Sequence, residues 1–137
     1  MSHSLSFLHT FKYQPILFKN MNAKVTLQNP KYQTYIDVCN MCCETCESCC
    51  TACMSNQQMV GQTTRCMMMM RDCADMCMMA SCMMSRGSEN AKKMCDTCAD
   101  MCEACAMECE KFSQMEECKQ CADACRMCAQ ECRNMMR

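Results

Sequence analysis

Sulfur carries nearly all the chemistry this sequence could do. Three segments repeat one cysteine spacing, C-x2-C-x3-C-x2-C-x3-C. They are Cys39, Cys42, Cys46, Cys49 and Cys53; Cys95, Cys98, Cys102, Cys105 and Cys109; and Cys118, Cys121, Cys125, Cys128 and Cys132. Alternating steps of three and four mark one face of an α-helix, whereas a strand needs steps of two. A zinc ribbon would need Gly-rich knuckles, and this chain has only 2 Gly. Residues four apart on a helix have Cβ atoms ~5–6 Å apart, so two thiolates such as Cys42 and Cys46, or Cys98 and Cys102, can close on one small ion. A facing helix can add a third sulfur.

Soft thiolates and thioethers select Cu(I), with Zn and Fe–S next in line. Zn wants one closed shell of about four ligands. An Fe–S cluster wants four cysteines converging on one point. A ladder of thiols running the length of a helix suits neither, and it suits many ions of low coordination number. Disulfides fit badly, because bonds along one helix face close almost no loop. Secreted disulfide domains are also loop-rich, unlike a chain with 2 Gly and 2 Pro.

The elements that must position these thiols are four helices. Asn29-Pro30 opens the first, with Asn as cap and Pro at the first helical position. Taking the cysteine rows as heptad positions a and d, Tyr32 and Tyr35 precede the ladder, with Ile36 beside them. Cys43 and Cys50 widen the stripe at e, and the helix runs to about Met54. A turn at Ser55-Asn56 leads to a second helix, roughly 57–86. There Cys66 and Cys73 take a, Met69, Met76 and Met83 take d, Cys77 takes e, and Cys82 falls off the stripe. Gly87 stops this helix and Ser88 caps a third, about 89–110. Ser113 to Glu116 matches a capping box for a fourth, about 114–135. Short connections between amphipathic helices predict an all-α antiparallel bundle with cysteines lining the core.

Composition bounds the alternatives. In 137 residues there are 21 Cys and 21 Met, and the formal net charge is -1. Nothing here predicts binding to nucleic acid or to a membrane surface, and no stretch is long enough to span a bilayer. The last Leu is Leu27, the last Ile is Ile36 and the last Val is Val60. Bundles ordinarily pack Leu and Ile in their cores; this one has Cys there, with Met as filler. Residues 1–28 hold both His (His3 and His9) and no Cys, and read as a disordered arm. Lys12, Gln14, Pro15 and Lys19 interrupt any signal-peptide pattern, so the expected compartment is the reducing cytoplasm. No nucleophile–base pair or phosphate loop is present, so no enzyme is expected. The functions that remain are Cu(I) storage and, as alternatives, an Fe–S or Zn cluster protein working in electron transfer or a thiol redox sensor.

The joint pattern resembles a known family. The repeated C-x2-C-x3-C helices, Arg71-Asp-Cys-Ala-Asp-Met-Cys77, the Ser85-Arg-Gly-Ser88 turn and Cys125-Arg-Met-Cys-Ala-Gln-Glu-Cys132 are similar to the four-helix-bundle copper storage proteins over about 30–137. The resemblance implies a bundle whose inward cysteines hold many Cu(I) ions, often in a homotetramer, of the cytosolic branch. A copper chaperone or an efflux system would then exchange copper with it. Two departures stand out. The family often has His near one mouth of the bundle, and none lies in 30–137; Met also replaces the Leu and Ile of relatives.

An antiparallel order puts Tyr32, Tyr35, Ile36, Met83, Met84, Met94 and Met135 at one end, which should be plugged. The other end gathers Cys53, Met59, Gln62, Cys66, Cys109, Met115 and Cys118. Copper is expected to enter there, with Met59 and Met115 as relays in place of His. The expected ligands are thus the three ladders, Cys43, Cys50, Cys66, Cys73, Cys77 and the methionines Met59, Met69, Met76 and Met115.

Overall fold

The computed structural model describes residues 30–137. The expected arm at 1–28 and the expected cap Asn29 lie outside the described residues. A 3-10 turn at Pro30–Tyr32 enters helix α1, Gln33–Ser55. Helices α2 (Thr64–Ser85), α3 (Ala91–Glu110) and α4 (Glu116–Met136) follow. Each helix packs along its sequence neighbour, and α1 also packs along α4, while diagonal pairs barely touch. This is an antiparallel four-helix bundle, and no strand occurs among the described residues.

The periodicity explains which face each helix buries. On α3 the a and d cysteines are fully buried together with Ala99 and Ala106 at e. On α4 the same holds for its cysteine ladder with Ala122 and Ala129. A one-carbon side chain at e lets neighbouring backbones approach and leaves the axis to the thiols. The outer faces are tied by ion pairs: Glu47–Arg71 joins α1 to α2, and Arg126–Glu110 joins α4 to α3. Arg133 on α4 also reaches Asp96, Asp100 and Glu103 on α3. Exposed pairs of this kind contribute ~0–1 kcal/mol each, so they set helix register more than stability.

Three local expectations need correction. The second helix begins at Thr64, not near 57. Asn56 closes a turn instead: its side-chain oxygen accepts the N–H groups of Gln58 and Met59 at 3.1 and 3.2 Å. The buried Thr63 hydroxyl donates to the Met59 carbonyl at 3.0 Å and fixes where the helix starts. Ser113 caps nothing; Met115 holds the N-cap position of α4 and has no side-chain cap. Ser88 does not cap α3 directly either. Its hydroxyl accepts the N–H of Asn90 at 3.2 Å, and the helix begins one residue later.

Gly87 does stop α2 as its composition suggests. It sits at φ 66°, the left-handed region that favours glycine. The N–H groups of Gly87 and Ser88 bond back to the carbonyls of Met84 and Met83 at 3.1 and 2.9 Å. That pair of bonds is a Schellman motif.

Candidate metal centre

The rows of the four helices meet on the axis as a column of sulfur. Cysteine sulfurs make their shortest contacts between helices: Cys66–Cys109 at 3.5 Å, Cys73–Cys102 at 3.6 Å, Cys77–Cys98 at 3.7 Å, Cys49–Cys118 at 3.7 Å and Cys39–Cys128 at 3.8 Å. Facing helices therefore supply most partners of the thiols, often two or three each, as Cys42, Cys46 and Cys73 do for Cys125, and a pair along one helix, Cys98–Cys102 at 3.9 Å, adds to them. A disulfide has its sulfurs ~2.05 Å apart, and every cysteine of α1–α4 is free.

Five groups of sulfurs lie mutually within 4.8 Å, in order along the axis: Cys39, Cys98, Cys128 and Cys132; Cys42, Cys77, Cys102 and Cys128; Cys42, Cys46, Cys73 and Cys125; Cys46, Cys105, Cys121 and Cys125; and Cys49, Cys53 and Cys118. All their members are buried. The spacing is that of sulfurs around one small ion, since a tetrahedral shell with ~2.3 Å bonds has edges of about 3.8 Å. The first four groups are not separate, however. Cys128 belongs to the first and second, Cys42 to the second and third, and Cys46 and Cys125 to the third and fourth. Isolated Zn sites do not share ligands this way. A continuous string of shared vertices is an arrangement of bridging thiolates.

The thiols along the axis differ in how readily they release a proton. Hydrogen bonds from Cys128, then Cys132, bring Cys39 down to about 5. Hydrogen bonding to Cys102 pulls Cys42, Cys73 and Cys98 below the ordinary thiol range, and Cys105 does the same for Cys121. Their partners go the other way: Cys77 and Cys125 are raised, chiefly by Cys102 and by Cys105. Burial pushes Cys118 up to about 12. Thiols shifted down thus neighbour thiols shifted up, and the lowered members are spread over the first four groups.

A family model described as copper storage protein matches residues 28–137. The chain belongs to the copper storage protein family. Solved structures agree. The Cu(I)-bound copper storage protein BsCsp3 is 36% identical, with 77% of this chain and 98% of that one covered, at a TM-score of 0.74. Copper storage protein 3 of Bacillus subtilis in its apo form is 37% identical, with 77% and 99% covered and a TM-score of 0.72. The copper storage protein of Streptomyces lividans loaded with 10 copper equivalents is 31% identical, with 81% and 87% covered and a TM-score of 0.74. No curated protein sequence matches the chain. Among the described residues, no helix is long and apolar enough to cross a membrane.

Within this copper storage fold, the remaining expected site residues fall into three places. Cys66 and Cys109 form a pair beside the last group, and Cys95 is fully buried beside Cys132 without joining a group. Cys43 and Cys50 are buried but lie off the axis, on the side of α1 that faces α2. Cys82 is exposed. Met69 and Met76 are half-buried, because the inward stripe of α2 runs through a and e rather than a and d. Met70, Cys77 and Met84 occupy e and are fully buried. Cys66, Cys73 and Cys77 fix that rotation, since all three must face the axis.

Both ends are covered. Tyr32, Tyr35, Met83 and Met94 pack partly buried over the core at one end, beside buried Ile36, Met84 and Met135. At the other, Met59 and Met115 pack against the core together with Phe112. Phe112 was not foreseen there, although a lone aromatic in a loop between two ladders is a signal that could have placed it. Glu108 was also missed. It is 7% exposed and held below the usual carboxylate range, first by a hydrogen bond from Lys111 at 2.7 Å, with Arg65 at 3.3 Å. Its heptad position g reads as solvent, and only the loop lysine and the start of α2 reveal the partner.

Proposed function

We propose that this chain stores Cu(I) as a thiolate-bridged array along the bundle axis, taking up many ions per chain and keeping them from other cellular ligands. One observation carries the reading: four groups of buried sulfurs joined by shared members. A bridging thiolate serves two ions at once, and each Cu(I) offsets buried thiolate charge as its proton leaves. The ligands are the ladder cysteines of α1, α3 and α4 with Cys66, Cys73 and Cys77. Solved relatives described as Cu(I)-bound and as loaded with 10 copper equivalents support this.

The role is storage rather than catalysis, because the array offers no open coordination site beside a general base. A reducing compartment suits free thiols in this number, and a related structure is described as a cytosolic copper storage protein. We place the protein in the cytoplasm as a homo-oligomer, a tetramer by family resemblance, exchanging copper with a chaperone or an efflux system. Copper passes through the end bearing Met59 and Met115, whose thioethers bind it weakly enough to hand it on.

The test is an anaerobic Cu(I) titration against a competing chelator, counting ions per chain. Two unshared thiolates per ion would give about ten ions, and shared sulfurs raise the number. Saturation at about one to four ions would overturn storage in favour of a Zn or cluster site.

A further inference from the structure

Cys50 is outside the axial string. It is 5% exposed, joins none of the core sulfur groups, and lines a groove of about 390 Å³ between α1 and α2. The groove is also lined by Met54, one turn after Cys50 on α1, and by Met67 and Met68 on α2. Met54 and Met68 are 56% and 65% exposed, and Met67 is half-buried. A buried cysteine and three methionines, two of them exposed, therefore line one solvent-reachable space.

Oxygen donors do not compete for it. Glu47 is the carboxylate that lines the groove, and Arg71 engages it at 2.6 Å across the same two helices. The hydroxyls of Thr51 and Thr64, the other polar groups lining it, bond to backbone carbonyls four residues earlier: Thr51 to Glu47 at 3.1 Å in its own helix, and Thr64 to Val60 at 3.3 Å in the preceding turn. What is left is one thiol and flexible thioethers, a donor set that selects a soft monovalent ion over Zn, Ca or Mg.

We propose that this groove is a lateral Cu(I) site, separate from the axial array, with the Cys50 thiolate and the thioethers of Met54 and Met67 as ligands and Met68 at its rim. Binding exchanges the Cys50 proton for the ion; the proton goes to solvent and no electron moves. One thiolate and two neutral thioethers hold Cu(I) less tightly than bridging thiolates do. The groove ion is therefore the last to bind at equilibrium and the first to leave. The proposal rests on the Cu(I) reading above for the identity of the ion, not for the existence of the site.

The experiment uses the full chain labelled at its methionine methyls with 13C and titrated anaerobically with Cu(I) alone. The Met54 and Met67 methyl resonances should shift, while that of Met127, exposed on α4 and outside the groove, should not. Cys50→Ala should abolish both shifts and lower the saturation count by one ion. A Met54→Leu/Met67→Leu variant, which conserves volume, should lose the same ion while its circular dichroism is unchanged. Groove shifts without axial loading would leave this site standing and overturn storage. Axial loading with unmoved Met54 and Met67 methyls, or shifts that persist in Cys50→Ala, would overturn the site.

Discussion

Replacing Cys125 with alanine separates what the sulfur column does for packing from what it does for metal. Its sulfur lies 3.8 Å from those of Cys42 and Cys46 and 4.0 Å from that of Cys73. It also belongs to two neighbouring groups. Without copper, Cys125→Ala deletes one sulfur from a full core, a change comparable to losing one methyl group, and costs ~1 kcal/mol. With copper, the third and fourth groups both lose a bridging member. An ion at a thousandfold excess over its Kd stabilises the fold by ~4 kcal/mol, so losing one ion brings the total to about 5 kcal/mol. At roughly 3–6 °C per kcal/mol for a domain of this size, Tm should fall by about 3–6 °C in the apo protein and about 15–30 °C in the loaded one. Thermal unfolding followed by circular dichroism, with matched apo and anaerobically loaded samples, reads both numbers. The exposed Cys82→Ala should change neither. Equal drops in the apo and loaded states would refute the bridging role of Cys125.

Other expected outcomes follow from the same geometry. Wild-type Tm should rise steeply on saturation with Cu(I), and an unchanged melt at saturation would contradict a core that binds metal. Apo stability should depend on pH in two opposite ways. Cys39 has a depressed pKa, so its contribution is complete above the ordinary thiol value of 9.0 and is lost as pH falls through about 5. Cys118 has a raised pKa, so its contribution is complete below 9.0 and is lost as pH rises through about 12. Urea unfolding of apo protein should therefore show a midpoint that declines on both sides of pH 9; a midpoint independent of pH would remove the proton-sharing argument. Copper loading should slow in Met59→Leu/Met115→Leu and not in Met83→Leu/Met135→Leu, measured by stopped flow. Slowing only in the second variant would place the route at the tyrosine end.

Much of this was legible from spacing alone. The ladders of α1, α3 and α4 carry their period in the residues that make the site, so fold and candidate ligands are read from the same letters. Alanines at 99, 106, 122 and 129 then indicate how closely the helices approach. Helix α2 was harder because its sulfur is mixed. In the run Met67 to Met70 every position is apolar, and periodicity cannot say which one faces inward. The structure buries Met70 rather than Met69, since Cys66, Cys73 and Cys77 together rotate the stripe. The α1–α2 connection was misjudged because Asn56 and Thr63 bond locally to the backbone, which favours turns over helix extension. Ser113 satisfied a capping pattern that chain packing overrode, as Met115 turns inward over the core and takes the N-cap position. How the sulfurs group across helices depends on relative axial shifts of the four helices, which one-dimensional spacing does not contain.

The sharing of Cys42, Cys46, Cys125 and Cys128 between successive groups makes helix length a measure of payload. A heptad advances an α-helix by ~10.5 Å and brings two more inward thiols on each helix that keeps the pattern. Insertion of seven residues into all four helices would thus lengthen the column by about 10 Å and append roughly eight sulfurs, without touching the caps, loops or ends. A lineage of such bundles can adjust how much copper a single molecule holds by duplicating turns, with no new site to invent.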